Sequence, residues 1–178
     1  DDATSVFKYF DTASSRAQIV PITAKLEAGA VAIVGLGGTG SYILDLMAKT
    51  PIKEIHLYDD DILQLHNAFR SPGAPSIEDL RGMPSKVNYY VRRYSEMREG
   101  LIPHEVRIDG TNLDELASME FVFVAIDGGE GKEELIKGLA GLEIPFADVG
   151  MGLYETEGSI GGHLRVTTCT PEQPDQRH

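Results

Sequence analysis

A single cysteine, Cys169, is all the thiol chemistry in 178 residues. That excludes an internal disulfide and any cysteine-rich zinc cluster within the chain, and it fits a reducing compartment. Basic residues are also scarce, with 16 Lys and Arg against 28 Asp and Glu and a formal net charge of −12. They form no long run, so the basic face that DNA or RNA requires is missing and no nucleic-acid partner is expected. No apolar stretch approaches the ~20 residues that span a bilayer. Nothing at the start resembles a signal peptide, so the expectation is a cytoplasmic protein with no membrane partner. There is no internal repeat and no low-complexity tract. The start at Asp1 without Met and the polar end Pro174-Asp175-Gln176-Arg177-His178 read as a piece of a longer chain.

The length suits one compact domain with one sizeable core. Residues 1–30 read as an N-terminal arm in which residues 17–27 carry apolar positions at helical spacing, broken by Pro21. From residue 31 the pattern alternates: strand 31–34, helix 39–49, strand 54–58, a polar Pro/Gly-rich stretch 59–84, helix 85–99, strand 104–108, short helix 112–118, strand 121–126, helix 130–141 and strand 144–148. Alternation of this kind predicts an α/β fold, a doubly wound, mostly parallel Rossmann-like sheet with helices on both faces. Residues 150–162 read as turn-rich, and 163–168 as one more strand in a short antiparallel edge near the C-terminus. Residues 31–168 form the predicted nucleotide-binding domain and 169–178 a tail.

The first strand opens into Gly35-Leu36-Gly37-Gly38-Thr39-Gly40 and then a helix. Amides at a helix N-terminus are unpaired and its dipole is positive there, so a phosphate can rest on backbone where Gly35, Gly37, Gly38 and Gly40 leave room. The second strand ends in Asp59, near the spacing at which a carboxylate takes ribose hydroxyls. Beyond it runs Asp59-Asp60-Asp61-Ile62-Leu63-Gln64-Leu65-His66-Asn67-Ala68-Phe69-Arg70. One carboxylate suffices for a ribose. A second acid, an amide and an arginine suggest a polyphosphate that needs charge neutralisation and a metal. Lys86 opens the next predicted helix, where its ammonium can reach phosphate oxygens. Asp127 follows the strand 121–126 into Gly128-Gly129 as a second candidate metal contact.

With these residues in view, the chain resembles the ThiF/MoeB-like adenylyltransferases, the superfamily of the ubiquitin-activating enzymes. The resemblance covers residues 14–168 and rests on the glycine loop, Asp59-x-Asp61, Asn67, Arg70, Lys86 and Asp127. It implies that Asp59 holds the ribose of ATP, that Asn67, Arg70 and Lys86 hold the triphosphate, and that Asp127 helps bind Mg. The implied reaction is attack by the C-terminal carboxylate of a small ubiquitin-like or sulfur-carrier-like protein, or of a peptide, on the α-phosphorus, giving an acyl-adenylate and pyrophosphate. Arg70, Lys86 and Asp127 are the implied catalytic set. Ser15-Arg16-Ala17-Gln18-Ile19 is similar to a family segment whose arginine crosses a homodimer interface, which implies that Arg16 reaches the partner's ATP. Departures are a longer interval from Arg70 to Lys86, Gly128 where Asn is usual, no Cys-x-x-Cys pair and no cysteine in a crossover loop. The residues thus argue for adenylation and not for a thioester step.

Two other readings stay open, an NAD(P)-dependent oxidoreductase and a non-catalytic nucleotide-binding dimerisation module. The remaining polar residues have plainer roles. Cys169 reads as an inert thiol and His56 as a packed core residue, while His66 and His163 lack an acidic partner at ligand spacing. Asp60 reads as a solvated acid that points away from its neighbours. Arg92, Arg93 and Arg98 read as the wet face of a helix. The glycines of residues 150–162 are turns or, by the resemblance, part of the channel that admits the acceptor's tail.

Overall fold

The computed structural model describes residues 5–172. The predicted tail 169–178 therefore lies in part outside the described residues, as does the start of the arm. Apolar residues alternate along β1 (Ala30–Val34), so that Val31 and Ile33 enter one core while Ala32 and Val34 enter another. A strand that is buried on both sides belongs in the middle of a covered parallel sheet. The observed order is β3-β2-β1-β4-β5-β6, with β2 (Glu54–Tyr58), β3 (Leu101–His104), β4 (Phe121–Val124), β5 (Phe146–Thr156) and β6 (Ser159–Cys169). All neighbours pair in parallel except β5 and β6. One core packs Leu44 of α3 (Gly38–Met47) and Val87, Tyr90 and Tyr94 of α5 (Lys86–Tyr94) against the sheet. On the other, Leu135 and Leu139 of α6 (Glu130–Gly141) pack with Leu116 and Phe146. The chain is therefore doubly wound and Rossmann-like, as the alternation predicts. No helix among the described residues is long and apolar enough to cross a membrane.

Several predicted elements are moved. The third strand is Leu101–His104 and not 104–108. Its Pro103 argues against a strand from sequence, but β3 is an edge strand, where a missing N–H on the outer side breaks no ladder bond. Gly100, at φ +74, turns the chain directly into it. The helix read as 85–99 stops at Tyr94, and the polar stretch 59–84 holds a 3₁₀ turn (Leu65–Phe69) and a short helix, α4 (Ile77–Gly82). Ser76 caps α4 by accepting from the Asp79 amide at 3.0 Å, while the Asp79 carboxylate takes the Ser76 amide. In the arm, α1 (Thr12–Arg16) and α2 (Val20–Thr23) are divided at Gln18, whose φ is 55. Pro21 sits in the first turn of α2, where its lost donor costs no helix bond.

Arg98 is not on a wet helix face. It is fully buried and donates from Nε to Glu99 O at 2.8 Å, from Nη1 to Thr50 O at 3.2 Å and Met47 O at 3.4 Å, and from Nη2 to Ile52 O and Lys53 O. Met47 closes α3 and Thr50 follows it, so the guanidinium sits at that helix's negative end. Burial pulls its pKa down to about 10. Arg92 and Arg93 are exposed, as predicted.

Residues 150–162 are not a run of turns. β5 and β6 pair over eleven rungs, from Phe146↔Cys169 to Thr156↔Ser159, and close through Glu157 (φ 52) and Gly158 (φ 77), a two-residue turn with both central residues left-handed. The other glycines make room for side chains across the ladder. A Cβ on Gly161 would stand 2.6 Å from the Tyr154 ring, and one on Gly152 2.6 Å from His163 Cε1. β4 pairs with β5 only as far as Asp148, so the rest of the hairpin runs on beyond the parallel sheet.

Candidate active site

Ligands of open α/β sheets bind off the carboxyl ends of the strands, where neighbouring connections leave in opposite directions. Here that point lies between β1 and β4, and a cavity of about 1050 Å³ opens there. Gly35, Gly37, Gly38, Asp59, Asp61, Arg70, Lys86 and Asp127 all line it. Gly40, Asn67 and Arg16 are not among its lining residues.

The glycines of the loop differ in purpose. Gly35 has φ +92, and a Cβ there would meet Ala125 O at 2.7 Å. A Cβ on Gly40 would stand 1.8 Å from Gly35 O, so this glycine lets the first turn of α3 close on the strand. A Cβ on Gly37 would meet nothing within 4 Å. Gly37 caps α3 and lines the cavity, so the fold itself does not require glycine there. Gly40→Ala is accordingly expected to cost about 3 kcal/mol by overpacking. Gly37→Ala is expected to cost only about 1 kcal/mol, since alanine is the poorer N-cap, yet weaken nucleotide binding at least tenfold. Melting of both variants with and without Mg·ATP checks the pair.

Asp59 is 8% exposed and already engaged. Its Oδ2 accepts from Leu36 N at 2.7 Å, tying strand β2 to the glycine loop, and its Oδ1 accepts from Asp61 N at 2.9 Å. Lys86 Nζ lies 3.2 Å from Asp59 Oδ1 and 2.6 Å from Asp61 Oδ2. Lys86 is buried and paired, which corrects the expectation of a freely reaching ammonium. Burial works against its charge, but the bond to Asp61 and the Asp59 carboxylate outweigh that and hold its pKa above the ordinary lysine value. Asp60 is exposed, as a solvated acid should be, but its carboxylate does not point away from the pair: one oxygen from each of Asp59, Asp60 and Asp61 lies within 4.8 Å of the others.

Asn67 is buried, and its Oδ1 accepts from Gln64 N at 2.8 Å. Its carbonyl takes Arg70 N at 3.1 Å and Ser71 Oγ at 2.8 Å. It therefore builds the turn from which Arg70 extends, and Arg70 itself is exposed beside Gly38. Asp127 is exposed and makes no hydrogen bond or ion pair with the described residues. Arg16 is exposed in the last turn of α1.

The residues that sequence reasoning missed stand on the other flank. Lys132, in the first turn of α6, points its Nζ to Ile126 O at 3.0 Å and to Asp148 Oδ1 at 2.5 Å. Asp148 Oδ2 accepts from Arg165 Nη2 at 2.8 Å. Asp148 ends the parallel part of β5 and so obeys the same strand-end rule that singles out Asp59 and Asp127. His56 is also not simply core. Its Nδ1 is 3.0 Å from His104 Nε2, and the His104 ring stacks on Tyr58 with centroids 4.2 Å apart. Burial pushes the Tyr58 phenol up to about 12, with the Glu115 charge adding to it. Cys169 is buried against Phe146 in the sheet, in line with a packing role.

The strand order and the glycine-lined crevice define a Rossmann-like nucleotide-binding architecture. The ThiF family sequence profile matches residues 13–160, and the chain belongs to the ThiF family. Among solved structures, Escherichia coli MccB with MccA-N7isoASN superposes with a TM-score of 0.71 at 20% identity, covering 92% of this chain and 49% of that one. E. coli TcdA, a tRNA N6-threonylcarbamoyladenosine dehydratase in complex with AMP, gives 0.65 at 20%, covering 80% and 62%. PaaA gives 0.61 at 22%, covering 72% and 39%. The chain thus spans less than two thirds of each of these proteins.

Proposed function

We propose that this chain adenylates a carboxylate with ATP, the acceptor being the C-terminus of a small ubiquitin-like or sulfur-carrier-like protein or of a peptide. The observation that carries the reading is the convergence of the open Gly37, the paired Lys86 and Asp59, and the exposed Arg70 and Asp127 on one cavity. Family membership supports it, as do neighbours crystallised with AMP, ATP or MccA-N7isoASN.

The ion pair suggests an exchange on nucleotide arrival. Triphosphate oxygens draw the Lys86 ammonium away from Asp61 and Asp59, and the released Asp59 oxygens take ribose hydroxyls. Arg70 closes over the phosphates from its 3₁₀ turn, and Asn67 acts by fixing that turn. Asp127 offers hard oxygen ligands at the strand tip, the chemistry Mg prefers, and Mg bound there would offset triphosphate charge. An acceptor carboxylate oxygen then forms a bond to the α-phosphorus, and the bond from that phosphorus to the β-bridging oxygen breaks. The electron pair leaves on pyrophosphate, whose charge Lys86 and Arg70 stabilise, and no proton needs to move. Tyr9, Phe10, Val20 and Ile22 leave the arm apolar and exposed, which supports a homodimer in which Arg16 acts on the partner's site.

Matched concentrations of Mg·ATP, AMP, NAD and NADP separate this reading from an oxidoreductase. A ligand at 100 times its Kd raises stability by about 2.7 kcal/mol. Stabilisation by Mg·ATP is expected, and stabilisation by NAD alone would overturn the reading. Asp127→Asn should melt like the parent, because the side chain has no partner to lose. Calorimetric titration should show that the Mg-dependent gain in ATP affinity, at least tenfold in the parent, has gone.

A further inference from the structure

A second cavity, of about 590 Å³, lies between α3, α5 and the loop that holds Gly73, and shares no lining residue with the first. One stripe of α5 and the turn after it lines this cavity: Tyr89, Arg93 and Glu96, at i, i+4 and i+7. Tyr9, Pro72 and Met97 add apolar walls. The arm sets Tyr9 there, since the Lys8 amide donates to Met97 O at 2.9 Å. Of the six charged side chains around the cavity, four are closed into pairs: Lys49 Nζ lies 2.7 Å from Asp45 Oδ2, and Arg92 is paired with Asp79. Tyr94 Oη donates to Asp45 Oδ1 at 2.8 Å and fastens α5 to α3. The other two, Arg93 and Glu96, enter no ion pair among the described residues.

The donors here lack an acceptor. Tyr89 is 3% exposed, and its buried hydroxyl has no hydrogen-bond partner among the described residues. Burial pushes the Tyr89 pKa up, and the charge of the neighbouring Arg93 opposes that push. A guanidinium only donates, so Arg93 leaves the phenolic proton without an acceptor. Gly73, at φ +75, brings bare backbone so near Arg93 Nη2 that a Cβ would overlap it, which limits where the guanidinium can go. A buried hydroxyl beside a guanidinium is completed by an anion, and a carboxylate matches both donors. A polyanion is a poor match, because Asp45, Asp79 and Glu96 stand around the same space. A ligand with one negative and one positive charge on neighbouring atoms answers both unpaired residues, since Arg93 and Glu96 are three apart where the chain leaves α5. We infer that this cavity binds a free α-amino acid with an apolar side chain. Arg93 and Tyr89 take its carboxylate, Glu96 its ammonium, and Tyr9, Pro72 and Met97 its side chain. The site is separate from the nucleotide cavity, and the inference holds whether or not the chain adenylates.

The test uses the whole chain and NMR of the Gly73 amide and the Arg93 Nε–H, titrated with L-leucine, L-methionine and L-phenylalanine. At least one is expected to shift both signals saturably and to leave the Gly37 and Gly38 amides in place. The tightest of the three is then compared with its counterparts lacking the amine or the carboxylate, each expected to bind at least tenfold more weakly. Arg93→Gln and Glu96→Gln should each weaken it at least tenfold, and because both side chains are exposed the variants should melt like the parent. Tyr89→Phe should also lose affinity, yet melt no lower than the parent, because the hydroxyl it removes has no acceptor in the free protein. The inference is overturned if none of the three titrates, if the counterpart without the amine binds as tightly, or if Arg93→Gln keeps its affinity. Shifts at Gly37 and Gly38 in place of Gly73 would overturn it too, by putting the ligand in the nucleotide cavity, and so would a Tyr89→Phe protein that melts well below the parent.

Discussion

Lys86→Met should lose nucleotide-dependent stabilisation altogether and should also melt early. A lysine that only reached into solvent for phosphates could be removed without harm to the fold. Here the ammonium is buried between Asp59 and Asp61, and Asp59 is itself buried and tied to the Leu36 amide. Taking away one member of a buried pair leaves the other's charge uncompensated, a loss of about 3 kcal/mol. For a chain of this size that is a drop in Tm of roughly 6–12 °C. The double variant Lys86→Met with Asp59→Asn separates the two effects: removing the stranded charge should restore most of the stability and none of the Mg·ATP response. A Lys86→Met protein that melts like the parent would mean that the pair contributes nothing to folding.

A second large effect is expected far from the cavity. Arg98→Met keeps much of the side chain's volume but removes every donor from a site that holds the carbonyls of Met47, Thr50, Ile52 and Lys53. With several buried acceptors stranded at about 1–3 kcal/mol each, the expected loss is on the order of 5 kcal/mol. That is comparable with the whole stability of many domains, so urea unfolding should show a population already unfolded without denaturant or a midpoint near zero. Arg92→Met, on the exposed face of α5, should lie within ~0.5 kcal/mol of the parent. Equal midpoints for the two variants would show that the Arg98 contacts carry no net stability.

The contrast between these arginines shows what local pattern can and cannot reveal. Helical spacing puts Arg92 and Arg93 outside and is right, but it cannot register that the helix ends at Tyr94 and that residue 98 turns back under the end of α3. The strand and helix alternation, the glycine loop and the strand-end acids Asp59 and Asp127 were legible because each is a short-range signal with a fixed physical cause. Helix α6 falls on residues 130–141, as predicted. β3 was displaced because proline counts against a strand until its edge position is known. The strand 163–168 and its antiparallel edge are legible, but residues 150–162 read as turns because glycine usually punctuates, whereas here Gly152, Gly161 and Gly162 face His163, Tyr154 and Leu153 across the ladder. The Lys132–Asp148–Arg165 group joins a helix and two strands, and no spacing along the chain encodes that meeting. Position alone marks Lys86 as a candidate cation of the cavity, but its burial depends on Asp59 and Asp61, two elements earlier.

The hairpin divides the cavity into walls of unequal firmness. β1, β2 and β4 lie inside the sheet, whereas past Asp148 the β5 and β6 ladder has no third strand beside it, and Leu153, Ile160 and Leu164 are mostly exposed. Amide hydrogens on the outer rungs should therefore exchange with solvent through small local openings, while those of β1 exchange only when the molecule unfolds globally. A molecule that settles on the hairpin meets a ribbon it must first quieten, and its binding should register there as slowed exchange. In β1 the ladder is already protected on both sides, so the same experiment would read almost nothing there.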